Sequence, residues 1–187
     1  MSGSKAAQLA IWWRQTVART IQPTIRLARP TDAAAIARMS RRYIENGLPW
    51  TWRAGRVVGH IAAADSTVIV AEQQGLMAGF AIMQFGDELA GLCLLATYPQ
   101  FRRQGIAARL ASWLERTADT AGITAIHVEA RESNAGAHGL YDALGFELTK
   151  RLPGYYSSQE SAVRFEKRLR PKFELRHHRI WSPDTRI

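Results

Sequence analysis

Between Ser66 and Tyr98 the chain passes through three apolar runs, STVIVAEQQ, LMAGFAIMQF and ELAGLCLLATY, separated only by glycine and polar residues. Short runs of β-branched and large apolar side chains bounded by turn residues read as strands. The first two form a hairpin around Gln73, Gln74 and Gly75, and Pro99 stops the third. Downstream, Ala107, Leu110, Ala111, Leu114 and Ala118 recur at helical spacing, which predicts a helix with one buried face, closed by Gly122. Upstream, Thr24 to Arg29 reads as a strand, and Pro30, Thr31 and Asp32 start a helix over DAAAIARMSRRYIEN that ends at Gly47 and Pro49. LPWTWRAGRVVGHIA is ambiguous, with Leu48, Trp50 and Trp52 at alternate positions and then a candidate short helix. TAIHVEAR is a further strand, Asn134 to Leu144 a short helix with Gly145 as its C-cap, and FELTKRL and SAVRFEKRL are two last strands around PGYYSSQE. The order β, α, a candidate α, three β, α, β, α, β, β predicts an α/β (α+β) fold: a mixed sheet of about six to seven strands with helices on both faces.

A chain of 187 residues with 47% hydrophobic content can bury one ordinary core. The predicted domain spans residues 23–169, between an N-terminal extension (1–22, helical, with Leu9, Trp13 and Val17 four apart) and a basic C-terminal tail (170–187). Cys93 is the only cysteine, which excludes an internal disulfide and a cysteine-rich zinc cluster. His60, His138, His177 and His178 lack ligand spacing, so no metal site is expected. No apolar run approaches the ~20 residues of a membrane span, and Lys5, Arg14 and Arg19 interrupt any signal-peptide core, so a cytoplasmic protein is expected. The net charge of +9 is concentrated at the two ends: residues 1–28 contribute +4 and residues 164–187 contribute +5, leaving 13 basic and 13 acidic residues between them.

The stretch FRRQGIAARLASWLERT sets Arg102, Arg103, Gln104 and Gly105 at the mouth of the long helix. The first backbone N–H groups of a helix have no internal partner and sit at the positive end of its dipole, which suits a phosphate. Gly105 lets a ligand approach, Ala107 and Ala108 keep the next turn thin, and the arginines add charge. A solvated basic turn ahead of a core helix accounts for these residues equally well. Neither GxxxxGK[ST] nor a strand-linked GxGxxG is present, which excludes two common nucleotide sites.

Arg102-x-x-Gly105-x-Ala107 after a strand resembles the acyl-CoA pyrophosphate signature of the GNAT superfamily of N-acetyltransferases, and SNAGAHGLYDALGFE follows in that family's form. The resemblance covers residues 24–169. Within the superfamily it is nearest to protein N-terminal acetyltransferases of the ribosomal-protein alanine type, on Glu129, Ser133-Asn134, Leu140-Tyr141, Leu144-Gly145-Phe146 and Tyr155-Tyr156. The chain departs from that type at Gln159 to Ala162 and in LPWTWRAGRV, both where an amine substrate would be read.

The resemblance implies acetyl-CoA as cosubstrate and direct transfer to a primary amine. At pH 7 a neutral α-amine costs about 1.4 kcal/mol and a neutral lysine about 4.6, so a terminal amine needs only a modest base. Glu129 matches the family's base, acting directly or through a water; strand alternation places it on one face with His127 and Arg131, and the alternative is a surface carboxylate paired with Arg131. Tyr141 matches the acid that protonates the departing thiolate, the alternative being a core aromatic. Asn134 is an N-cap and, by resemblance, a partner of the pantetheine arm. Leu95, Ala96 and Thr97 present backbone N–H groups where, in the family, the strand splays from its neighbour; Arg102, Arg103, Gln104, Gly105, Ile106, Ala107 and Ala108 form the pyrophosphate mouth. Tyr155 and Tyr156 are candidates to clamp a peptide, with Trp50 and Trp52 walling the opposite side, or else each pair is ordinary packing. Three functions are therefore in play: N-terminal acetylation of a protein or peptide, acetylation of a small-molecule amine, and CoA binding without turnover. The terminal extensions are candidates for homodimer contacts or for ribosome or nucleic-acid contact, or are solvated.

Overall fold

The computed structural model describes residues 22–156 and 160–169. The N-terminal extension up to residue 21, the tail from residue 170 and the expectations attached to both lie outside the described residues. Among the described residues seven strands form one sheet in the order β1-β2-β3-β4-β5-β7-β6. They are β1 (Thr24–Leu27), β2 (Ser66–Gln73), β3 (Leu76–Phe85), β4 (Leu89–Thr97), β5 (Ala125–Arg131), β6 (Glu147–Tyr156) and β7 (Glu160–Arg168). Between them run α1 (Ala33–Tyr43), α2 (Ala54–Ala62), α3 (Ile106–Thr120) and α4 (Ala135–Ala143). Among the described strands only β4 and β5, joined through α3, are parallel. This is the mixed sheet that the element order predicts.

Each sheet face carries its own core. Ile106, Leu110 and Leu114 of α3 and Tyr141 of α4 pack with Met83, Leu92, Val128 and Phe165. Ile36 and Met39 of α1 and Val57 of α2 pack with Val70, Phe80, Ile82 and Leu94 on the other face. Both helix sets bury their apolar stripe and leave their charged side to solvent.

The ladder between β3 and β4 departs from regularity at one residue. Ile82 pairs with Leu94 and Met83 with Leu92, so Cys93 is an extra residue in β4. The bulge reverses the alternation: Ala90 and Leu92 face the α3–α4 core, whereas Cys93 and Leu94 both face α1 and α2. A bulge bends its strand and adds twist. The parallel ladder to β5 covers only Leu89↔Ala125, Ala90↔Ile126 and Gly91↔His127, stopping one residue before the bulged segment. Beyond that point β4 stays with β3, through Thr97, and parts from β5.

Gly79 sets how closely α3 rides on this part of the sheet. A Cβ there would stand 2.8 Å from the Ala96 carbonyl oxygen, 3.3 Å from Leu110 Cδ1 and 3.4 Å from Ile106 Cγ2. The first contact is with backbone, which cannot rotate away. We expect Gly79→Ala to cost about 2 kcal/mol through overpacking, or roughly 4–8 °C of melting temperature in a chain of this size. An unchanged thermal midpoint would show that α3 and β4 are free to move apart.

The structure corrects the last hairpin. Pro153, Gly154, Tyr155 and Tyr156, read as connecting loop, belong to β6. β6 is an edge strand whose pairing with β7 is irregular between Leu152 and Tyr156, so the missing N–H of Pro153 breaks no regular ladder there.

Candidate active site

Where β4 and β5 part, a cavity of about 360 Å³ opens. Its walls are Leu92 to Leu95 of β4, Val128 to Arg131 of β5, Asn134 and Tyr141 at the two ends of α4, Tyr156, and the Tyr43 to Asn46 turn that follows α1. A strand edge released from its neighbour has unpaired N–H and C=O groups, which makes this gap a place for an extended ligand.

Tyr141 is held by the way α4 ends. Phe146 N–H donates to the Tyr141 carbonyl and Gly145 N–H to that of Asp142, both at 2.9 Å, with Gly145 at φ 79°. This is a Schellman closure, and its apolar contact is the Tyr141 ring against that of Phe146 at 5.7 Å. Phe165 packs on the same ring at 5.6 Å. At the other end Asn134 Oδ1 caps the helix by accepting from the Ala137 N–H at 3.1 Å. Tyr141 is 6% exposed, and burial, reinforced by Tyr156 and Glu129, raises its pKa well above the usual phenol range. The hydroxyl therefore keeps its proton across neutral pH.

Glu129 reaches the cavity from the opposite face of the sheet, because it alternates with Val128 and Ala130, which belong to the α3–α4 core. Its partner is not Arg131, the neighbour that strand alternation offers, but Arg164, directly across on β7. Arg164 Nε and Nη2 both stand 2.7 Å from Glu129 Oε1. Strand register decides this pairing, and register is not written in either strand alone.

Arg131 instead joins three segments. Its Nη1 donates to Glu160 Oε2 at 2.8 Å, and its Nη2 donates to the carbonyls of Ile44 at 2.8 Å and Asn46 at 2.7 Å. Its guanidinium lies 5.7 Å from the centre of the Tyr156 ring, and the Ser133 hydroxyl donates to the other oxygen of Glu160 at 2.6 Å. The turn that Arg131 grips is folded around Glu45, which is buried and accepts from the Ser40 hydroxyl and from the backbone and hydroxyl of Thr51. Sequence reading missed Arg131, Arg164 and Glu45. Only Arg131 left a signal, its position two residues from Glu129 on the same face.

The mouth of α3 has the expected form. Gly105 is the N-cap at φ 76° with no side-chain cap, and Arg103 is also left-handed at φ 60°. The first helical bond runs from Arg109 N–H to Gly105 O, so the N–H groups of Ile106, Ala107 and Ala108 have no acceptor within the helix. Arg102 and Arg103 are exposed, whereas the Ile106 side chain is core, leaving only its backbone for a ligand. Gln104 is occupied by the scaffold, accepting from Gln73 Nε2 and donating to the Gln100 carbonyl. The Thr97 hydroxyl, at the end of β4, is buried without a partner among the described residues. Leu95 lines the cavity and Ala96 faces the α1–α2 core.

Beside Arg131, Tyr156 lines the cavity, with Tyr155 edge-on to it at 5.0 Å and half-exposed. Burial is the main cause that raises both phenols, Tyr156 to about 12. Trp50 and Trp52 are not among the cavity walls. Trp52 is buried in the α1–α2 core, stacked on His60, and Trp50 donates its indole N–H to the Trp52 carbonyl. Cys93 lines the cavity, and burial pushes its thiol up, away from the thiolate a nucleophile needs.

A sheet opened between its only parallel pair, with a free helix mouth at one end of the gap, is the architecture of the acetyltransferase (GNAT) family. Residues 36–146 match that family, and the chain belongs to it. It is similar to the ribosomal protein bS18-alanine N-acetyltransferase of Escherichia coli K12, with 35% identity over 88 residues, 47% of this chain and 60% of that relative's length. The crystal structure of the E. coli ribosomal-protein-S18-alanine N-acetyltransferase superposes with a TM-score of 0.70 at 27% identity, over 82% of this chain and 97% of that one. The fold is also that of Arabidopsis thaliana NAA60 in complex with acetyl-CoA, with a TM-score of 0.69 at 16% identity over 79% of this chain and 98% of that one. Among the described residues no helix is long and apolar enough to cross a membrane.

Proposed function

We propose that this protein transfers the acetyl group of acetyl-CoA directly to a primary amine, and that the amine is the N-terminus of a protein or peptide. The observation that carries the reading is the cavity itself, with Tyr141 on one side of the sheet and Glu129 on the other. Two substrates that enter from opposite faces meet in such a gap without an acyl-enzyme.

In this reading the N–H groups of Ile106, Ala107 and Ala108, with Arg102 and Arg103, hold the diphosphate. The Thr97 hydroxyl and the open edge of β4 take the pantetheine arm, with Asn134 beside it. Glu129 accepts the proton that the amine loses as its nitrogen bonds to the thioester carbonyl carbon, directly or through one water. Backbone N–H groups of β4 face the oxygen on which negative charge develops. Tyr141 gives its proton to the sulfur as the carbon–sulfur bond breaks, so the products are the acetylated amine and free CoA thiol.

The likeness to N-terminal acetyltransferases supports the peptide acceptor, as does the cavity rim, formed by Tyr156 and the turn after α1. The test is thiol release on adding a short peptide, against the same peptide blocked at its N-terminus and a panel of free amines. Turnover of the free peptide alone is expected; turnover of the small amines alone would overturn the acceptor assignment. A Gly105→Val variant should raise the KM for acetyl-CoA about tenfold, since a β-branched residue opposes the left-handed N-cap. An unchanged KM would remove the helix mouth from the site.

A further inference from the structure

The formal neutrality of residues 29–163 conceals a segregated surface. The α1–α2 segment, residues 33–62, carries Arg38, Arg41, Arg42, Arg53 and Arg56 against one acid, Glu45, which is buried and already hydrogen-bonded. All five arginines are exposed, and among the described residues none is ion-paired. Arg38, Arg41 and Arg42 stand at i, i+3 and i+4, one stripe of α1. Three of the guanidiniums lie against aromatic rings: Arg42 on Tyr43 at 5.6 Å, Arg53 on Trp50 at 5.6 Å and Arg56 on Trp52 at 4.1 Å. Stacking restrains a side chain that would otherwise sample many rotamers, so less entropy is lost when it binds.

The position of this patch decides what it meets. The stripe ends at Tyr43, and Tyr43, Ile44 and Asn46 are walls of the cavity on the face that Glu129 reaches. Arg41 donates to the Leu48 carbonyl, tying the stripe to the same turn. In the peptide-acceptor reading, a polypeptide whose terminal amine sits at Glu129 has this rim beside it where it leaves the cavity. α1 is about 16 Å long, a distance that about five residues of extended chain cover.

We propose that the α1–α2 face is a docking surface for an acidic stretch of the acceptor polypeptide, within roughly the first eight residues after the acetylated amine. This rests on the peptide-acceptor reading above and names the acceptor class within it. An acidic peptide is steered to the rim and held there by charge, whereas a basic one is repelled.

The test uses three peptides of one length with the same first two residues, carrying Asp and Glu, Ser and Gln, or Lys and Arg at the following positions. With the full-length protein at low salt, kcat/KM should run acidic over neutral over basic, with about tenfold between the first two, and should converge as salt is added. Arg53→Glu with Arg56→Glu should abolish the advantage of the acidic peptide while leaving the KM for acetyl-CoA unchanged. Equal turnover of the three peptides, or preference for the basic one, would overturn the inference and leave the acetyltransferase reading standing. Absence of turnover with all three would overturn the peptide-acceptor reading and the inference with it. Saturable binding of single-stranded RNA that the double variant abolishes, with no discrimination among peptides, would overturn it in favour of a nucleic-acid surface.

Discussion

Replacing Tyr141 with Phe should lower kcat about a hundredfold, the lower range of what a positioned proton donor contributes, and should barely change the KM for acetyl-CoA. The substitution removes one oxygen and keeps the ring that packs between Phe146 and Phe165. The fold should therefore survive, and an unshifted melting curve would confirm that the loss is chemical. The pH profile gives a second reading of the same group. Because burial raises the Tyr141 phenol, and Tyr156 is pushed up to about 12, neither loses its proton below about pH 10. The kcat of the unaltered protein should show no fall between about pH 7 and pH 9.5 from loss of the acid. Full activity in Tyr141→Phe would assign the residue to the core alone.

Arg131→Met should raise the KM for the peptide acceptor at least tenfold and leave that for acetyl-CoA nearly unchanged. The guanidinium bonds to Glu160 and to two carbonyls of the turn after α1, with Tyr156 against it, so its loss frees both lips of the cavity that the proposed mechanism gives to the acceptor. Hydrogen bonds to charged groups are worth about 1.5–3 kcal/mol each, and with partial relaxation a net loss of roughly 3 kcal/mol is expected, seen as a lower denaturant midpoint. Arg131→Lys should recover little, because a single ammonium cannot serve three acceptors in the planar arrangement that a guanidinium spans. Equal KM changes for both substrates would mean general unfolding of the site, and a full rescue by lysine would mean that charge alone suffices. Arg131 is a positioning residue in the proposed mechanism, which assigns the proton transfers to Glu129 and Tyr141.

Much of this was legible in the chain. Alternation in AIHVEAR set Glu129 apart from the core face, Gly145 closed α4 where a left-handed residue was required, and the RRQG turn marked the helix mouth. These are local properties, settled within a few residues by side-chain period, by φ and by unpaired N–H groups. The pairing of Glu129 was not legible, because Arg131 is its neighbour in sequence and Arg164 its neighbour in space. Nor was the fate of the two tryptophans: alternate bulky residues suggested a pocket wall, and one of them is core.

Local order of strands and helices and the donor-rich turn before α3 were determined by the sequence alone, since each depends on short-range geometry, whereas the two proton-transfer candidates were named through the family resemblance. Tertiary structure alone decided the extra residue at Cys93, the parting of β4 from β5 beside it, and the grip of Arg131 on a turn more than eighty positions away. A bulge depends on how one strand registers against another, and a cavity on where two strands cease to pair. Both depend on contacts that form only when distant segments meet.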